Sequence, residues 1–290
     1  MSKWLLVADS SCDLDSSKVD FNGVALETVP LRIMVDDKEF IDIPSTDPKE
    51  MLDAMKTAKT TSSSCPSPEA FAEKFRMADN VFAVTITGNL SGTYNSALQA
   101  KAIVQEEFPE KKIHVVDSWS TGGTMILILK KLGELIAQGL EFEEIVKEID
   151  EYREKMRIVF TLFDYTNLVK TGRMSAIAGM VANALSIRAL AHNPGGVIKT
   201  LEKPRGEKKA VERLVAIMEK FQYKAGTPIV VTHCQNEESV EKVVALIKST
   251  YGATDDDISV YDCACLTSYY AGYKGVLVAF EGVIPEEYKQ

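Results

Sequence analysis

Three stretches of the chain are apolar without interruption: "WLLVAD" at 4–9, "VFAVTI" at 81–86 and "IHVVDS" at 113–118. Unbroken runs of this length predict strands buried on both faces, as in a parallel sheet. Helix signals lie between and after them. In "STDPKEMLDAMKTA", Asp47 can cap, Pro48 suits the first turn and Glu50 completes a capping box. "CPSPEAFAEKFRMA" repeats the arrangement with Ser67 and Pro68. Strands alternating with helices predict a parallel α/β domain. Phe142, Ile145, Val146, Ile149, Tyr152 and Met156 recur at helical spacing and predict the helix that closes it.

"RIVFTL" at 157–162 then predicts a new strand. "MSAIAGMVANALSIRAL" reads as a small-residue helix ending before a loop, "HNPGG", and "KKAVERLVAIMEKF" reads as an amphipathic helix. "PIVVTH", "ISVYDC" and "GVLVAF" predict strands, with a helix, "ESVEKVVALIKSTYG", between the first two. The expected fold is α/β in two domains. Residues 1–156 form a parallel, Rossmann-like sheet domain and 157–290 a mixed α/β domain.

Composition narrows the function. The 290 residues are 46% hydrophobic and 26% charged, an ordinary globular balance that supports a packed core. With 33 basic and 42 acidic side chains the net charge is −9, which argues against general nucleic-acid or membrane-surface binding. Any anion site must be local. Five scattered cysteines suggest neither a disulfide framework nor a zinc cluster, so no metal is expected. The first apolar run ends at Asp9, and the longest purely aliphatic run, "MILIL", is far short of a membrane span. A cytoplasmic protein without stable membrane insertion is expected.

Candidate chemistry gathers in loops after the strands. In "TITGNLSGTYNSALQA" at 85–100, a strand runs into a hydroxyl-rich turn and a helix start. The helix start favours an anion, yet there is no lysine and no GK[ST] ending, so this is not a P-loop. Ser91, with Gly92, Thr93 and Thr87 nearby, either caps the helix or holds a ligand oxygen. "KTTSSSCPSP" carries consecutive hydroxyls, Thr60, Thr61, Ser62, Ser63 and Ser64, read as a flexible loop or as part of a crevice at the carboxyl ends of the strands. "DSWSTGG" at 117–123 ends a third strand. Asp9 and Asp117 are turn formers, or else a metal pair or the acid/base pair of an enzyme acting on a small anionic substrate. Arg173 and Arg205, each beside a glycine, are solvated charges or anion forks. His233 and Cys234 adjoin in a strand, so their side chains point apart and make no nucleophile pair.

"SSSCPSPEAF", "LSGTYNSA", "VVDSWSTGG", "LVKTGRMS" and "PRGEKKAVERL" occur in an order that resembles the DegV proteins, bacterial fatty-acid-binding proteins. The resemblance runs over nearly the whole chain, and "LSGTYNSA" carries it most specifically. It implies two α/β domains with an acyl chain buried between or beneath them, and no cofactor beyond the bound fatty acid. It implies that hydroxyls and a basic group at the domain interface hold the lipid carboxylate. Some members of that family are the lipid-binding subunit of a fatty acid kinase, presenting the carboxylate to a separate ATP-using partner; such a protein is no enzyme itself. Carried over by motif, the serine of LSGT falls on Ser91. The Thr-Ser pair before proline falls on Ser63 and Ser64, with Thr61 or Ser62 as alternatives. The arginine before the "KKA" helix falls on Arg205, and Gly-Gly-Arg falls on Thr171, Gly172 and Arg173. Tyr270 stands where the family has histidine, and Ile187-Arg188-Ala189 where it has Ile-Lys-Pro. A pocket wall is expected from residues 177–190 with Phe163, Met174 and Met180.

Overall fold

The computed structural model describes residues 2–174 and 187–288. The chain opens with β1 (Ser2–Asp9), β2 (Leu26–Val29), β3 (Arg32–Val35) and β4 (Lys38–Ile41). Helix α1 (Pro48–Met55), strand β5 (Thr61–Ser64), α2 (Pro68–Phe75), β6 (Ala78–Thr85), α3 (Thr93–Glu107) and β7 (Lys112–Asp117) follow. Two long helices, α4 (Gly123–Ala137) and α5 (Phe142–Lys155), lead into β8 (Met156–Thr161) and the short α6 (Thr166–Lys170). Beyond residue 186 come β9 (Leu190–His192), β10 (Lys199–Glu202), α7 (Glu207–Lys220), β11 (Ile229–His233) and α8 (Glu237–Tyr251). The chain then finishes with β12 (Ile258–Asp262), α9 (Cys265–Ala271) and β13 (Val276–Glu281).

The strands form three sheets. One is parallel, in the order β2-β1-β6-β7. The second is mixed, β10-β9-β8-β13-β11-β12, with only β11 and β12 parallel. Its strands all start at or after Met156, where α5 hands over to β8. The third, β4-β3-β5, is a small antiparallel sheet that the pattern of apolar positions did not announce.

Side-chain alternation explains the layering. On the parallel sheet, Leu5, Val7, Val81, Ala83, Ile113 and Val115 pack against α2 and α3. Their neighbours Leu6, Ala8, Phe82, Val84 and Val116 point inward. On the mixed sheet, Val159, Val231, Val276 and Val278 pack against α7 and α8, whereas Ile158, Phe160, Val230 and Leu277 point inward. The two inward faces share one apolar cluster that crosses Met156. Helix α4 lies in it, contacting β6 on one side and β8, β11 and β13 on the other. Met125, Ile126, Leu127, Ile128 and Leu129 are all buried. The aliphatic run is therefore a helix covered all round by protein. Among the described residues no helix is long and apolar enough to cross a membrane.

Several expectations change. Asp47 caps α1 through the Lys49 amide at 2.8 Å, but Glu50 pairs with Lys38 rather than completing a box. Ser67 caps α2 as read, accepting from Ala70 N at 3.3 Å. The hydroxyl run at 61–64 is a strand, not a flexible loop, because β3 supplies backbone partners from Arg32 to Val35. The small-residue helix expected up to Leu190 lies for the most part outside the described residues. At its end the chain is already extended: Ile187 bridges Arg205 and Leu190 begins β9.

Mid-helix Gly133 lets α4 touch the backbone at Phe21; a Cβ there would lie 2.8 Å from the Phe21 carbonyl oxygen. Backbone cannot yield as a side-chain tip can. Gly133→Ala is therefore expected to destabilise by about 1–3 kcal/mol, despite a helix-propensity gain of about 1 kcal/mol. Thermal unfolding checks this, and an unchanged or raised midpoint would contradict it.

Candidate functional site: an apolar cavity with a polar rim

Just past the start of α4, the same inner layer holds a cavity of about 300 Å³. It lies at the carboxyl ends of the parallel strands, touching Ile86 after β6 and Ser120 and Thr121 after β7. Parallel sheets commonly bind ligands in that position. Ile158, Phe160 and Leu162 supply one wall, every second residue along β8 and its exit. Leu31, Leu168, Ile198, Leu266 and Leu277 add apolar surface from other elements.

The rim is polar. Ser63, Ser64 and Cys65 come from β5 and its exit, Ser91 and Gly92 from the start of α3, and Tyr270 from α9. Two close approaches bring these segments together. A Cβ on Gly92 would lie 3.2 Å from Cys65 Sγ, so the start of α3 and the exit of β5 run close together. Ser63 Oγ and Tyr270 Oη are 2.8 Å apart. Ser64, Cys65 and Gly92 are exposed, whereas Phe160, Leu162, Leu266 and Leu277 are buried. Ser63, Ser91 and Tyr270 are half-buried, and Thr87, Ser120 and Thr267 are buried on the same lining, so hydroxyls run inward from the mouth along an otherwise largely apolar compartment.

The sequence-predicted residues divide accordingly. Ser91, Gly92, Ser63, Ser64, Tyr270 and Thr87 line the cavity. Thr93 stands behind Ser91, their hydroxyls 2.8 Å apart, and its amide donates to Ser91 Oγ at 3.3 Å. Ser91 therefore does accept from the helix start. Thr61 lies one strand step behind the rim, where its Oγ1 accepts from Tyr269 Oη at 3.1 Å. Ser62 alternates to the exposed side of β5. Arg205 is exposed and does not line the cavity; its backbone bridges Ile187 instead. The cation at the rim is Arg173, which donates to Leu90 O at 3.3 Å and to Thr171 O at 2.7 Å. Its guanidinium carbon sits 5.7 Å from the centre of the Tyr270 ring, within cation–π reach. Burial raises the Tyr270 phenol above its ordinary value, so it is a neutral donor at physiological pH.

The expected pocket wall moves as well. Met174 is buried in the central core and Phe163 lies under the Arg188 and Lys274 side chains, neither on the cavity. Met180 and the stretch 175–186 lie outside the described residues. The strand "RIVFTL" supplies wall instead, and its alternation was the signal that could have found it. Asn193, from the "HNPGG" turn, also reaches the cavity. That turn clips the two halves together: Asn89 Nδ2 donates to Gly195 O at 2.7 Å and Asn193 Nδ2 to Trp119 O at 2.8 Å. Thr87 contributes a weaker bond to Gly196 O at 3.4 Å.

The strand-end aspartates do not line the cavity. Asp9 accepts from the Ile86 amide at 2.7 Å and the Ser11 amide at 3.0 Å. Asp117 accepts from Trp119 N at 3.1 Å and Gly88 N at 3.2 Å. Both fix turns. Asp13 and Asp42 lie nearby, also buried, each with a carboxyl oxygen that finds no hydrogen-bond partner among the described residues. Burial outweighs the hydroxyl and amide hydrogen bonds and raises Asp9 and Asp42 to about 6 and Asp13 well above its ordinary value.

Fold and site together define an α/β binding protein whose compartment, between its two larger sheets, suits an elongated apolar molecule with one polar end. A family profile described as "Uncharacterised protein, DegV family" matches residues 3–281. A DegV domain-containing protein of Streptococcus pyogenes serotype M1 is 41% identical over 280 residues, covering 96% of this chain and 99% of that one. The chain belongs to the DegV family. Two solved structures are similar over 96% of this chain and 99% of their own. One, a DegV family protein from Eubacterium eligens loaded with heptadecanoic acid, has a TM-score of 0.90 at 37% identity. The other, the Streptococcus pneumoniae fatty acid kinase (Fak) B3 protein loaded with linoleic acid, has 0.91 at 38%.

The buried carboxyls make stability depend on pH. Unfolded, Asp42 titrates near 3.8; folded, it keeps its proton to about pH 6. Between these values the folded state binds more protons than the unfolded one, so the group's contribution falls as pH rises through that window and stays lost above it. Asp42→Asn keeps an oxygen for its amide partner. It is expected to match the parent near pH 4 and to exceed it by up to about 3 kcal/mol at pH 7. Urea unfolding at both pH values measures this; the same difference at both would contradict it.

Proposed function

We propose that this protein binds a long-chain fatty acid without transforming it, with the acyl chain inside the cavity and the carboxylate at the rim. The observation that carries this is a largely apolar buried wall that opens at one end on the half-buried hydroxyls of Ser63, Ser91 and Tyr270 and the exposed Ser64. A fatty acid matches it at both ends. Each methylene removed from water contributes about 0.8 kcal/mol, so a long chain dominates affinity. A carboxylate taken from water without donors would be costly. Ser91, Ser63 or Ser64, and the Tyr270 phenol provide donors, and Arg173 balances the charge. Thr61, Ser62 and Thr93 are support rather than contact in this reading. The relatives solved with heptadecanoic and linoleic acid favour the same ligand class.

An exposed head group also suits hand-over. We place the protein in the cytoplasm as the lipid-presenting partner of a separate fatty acid kinase subunit, a role supported by the name of the pneumococcal relative. The rival reading, an enzyme using Asp9 and Asp117, gains no support from carboxylates committed to turn amides away from the cavity.

Denaturing mass spectrometry of the purified protein is expected to release a fatty acid in near-stoichiometric amount. Delipidated protein that takes up none would sink the proposal. Ser91→Ala and Tyr270→Phe each remove one hydrogen bond, about 1 kcal/mol or roughly fivefold in affinity. Arg173→Ala should cost about tenfold or more, since charge-assisted bonds are stronger. Arg205→Ala, a change on the exposed surface, should stay within about twofold. Calorimetric titration with linoleic acid separates these outcomes, and equal losses at Arg205 and Arg173 would reverse the assignment of the cation.

A further inference from the structure

Helix α9 is fastened at both ends to the small sheet that carries the rim serines. Its body packs on the central strand β3. At its start, Cys265 N donates to Asp42 Oδ1 at 2.7 Å, and Asp42 directly follows β4, one outer strand. Ala264 N donates to Asp13 Oδ1 at 2.9 Å. At its end, Tyr270 meets Ser63 and Tyr269 meets Thr61, both on β5, the other outer strand. The tyrosine rings hold each other edge to face, with centroids 4.7 Å apart. Asn167 of α6 donates to Tyr269 O at 2.7 Å. The helix is thus a strut across the sheet, with the head-group donors at one end and a buried carboxylate at the other.

We propose that Asp42, assisted by Asp13, is a positioning residue for the head-group clamp: by holding the first amides of α9 it fixes where Tyr270 meets Ser63. This rests on the fatty-acid reading above. The acceptor oxygen matters here and the charge does not. An asparagine should therefore do the work of the aspartate and an alanine should not. A carboxylate that merely stabilised the fold would change unfolding without this pattern in affinity.

The test titrates linoleic acid into delipidated parent, Asp42→Ala, Asp42→Asn, Tyr270→Phe and the double variant Asp42→Ala/Tyr270→Phe. Asp42→Ala is expected to bind about fivefold more weakly, the loss of one buried hydrogen bond. Asp42→Asn is expected to stay within about twofold. The double variant should bind no more weakly than Asp42→Ala alone, because both changes act through one contact. Additive losses, or equal losses for asparagine and alanine, would overturn the proposal. Should Asp42→Ala fail to fold, hydrogen exchange on the parent protein decides: linoleic acid is expected to slow exchange at Ala264 and Cys265, and unchanged rates there would overturn it. No uptake by the parent would defeat the binding reading itself. Tight binding by both parent and Asp42→Ala would defeat only the positioning role.

Discussion

The rest of the structure depends on one packing constraint: two sheets turn apolar faces toward each other, and a single helix does not fill the layer between them. Helix α4 fills most of it, which is why Met125–Leu129 in its first half are apolar all round. Past its first turn the two faces continue, and the space between them is the cavity. The binding compartment is thus an extension of the core. It is walled by the same alternating residues that bury the sheets, and it opens where the parallel strands end.

That position explains the chemistry of the rim. Turns after parallel strands are rich in short polar side chains because these satisfy loose backbone groups. Asp9, Asp117 and Thr87 do so here. Ser91 sits in such a turn yet faces the cavity mouth, and Ser63 reaches the same mouth from the antiparallel strand β5. A hydroxyl rim needs little beyond such turns, provided that a second element aims it. Helix α9 supplies that element, and Tyr270 joins the rim to it.

Much of this is legible in the chain itself. The runs at 4–9, 81–86 and 113–118 announce a parallel sheet because burial on both faces replaces the polar alternation of a half-exposed strand with consecutive apolar residues. The caps at Asp47 and Ser67 announce α1 and α2 because their side chains answer to local geometry alone. The serine of the "LSGT" turn is equally readable. The sheet β4-β3-β5 is not. Its strands are four residues each, and the one that carries the serines has no apolar residue, so only its partner's backbone makes it a strand. Nor is the choice between Arg173 and Arg205, since both sit beside glycines in polar turns. Which one meets the rim depends on how β9 and α6 fold back, a matter of tertiary packing. Asp42 was invisible for the same reason: its partner is 223 positions away.

The wall from β8 has an evolutionary corollary. Ile158, Phe160 and Leu162 look into the compartment while Val159, between them, packs under the outer helices. Adjacent residues therefore answer to different selection. The inward ones can gain or lose a methylene, shifting preference among ligands of different length or bend by about 1–3 kcal/mol. The outward one keeps the sheet covered. Diversification of cargo within such a lineage is thus open to single-residue drift along one face of one strand, with the scaffold left untouched.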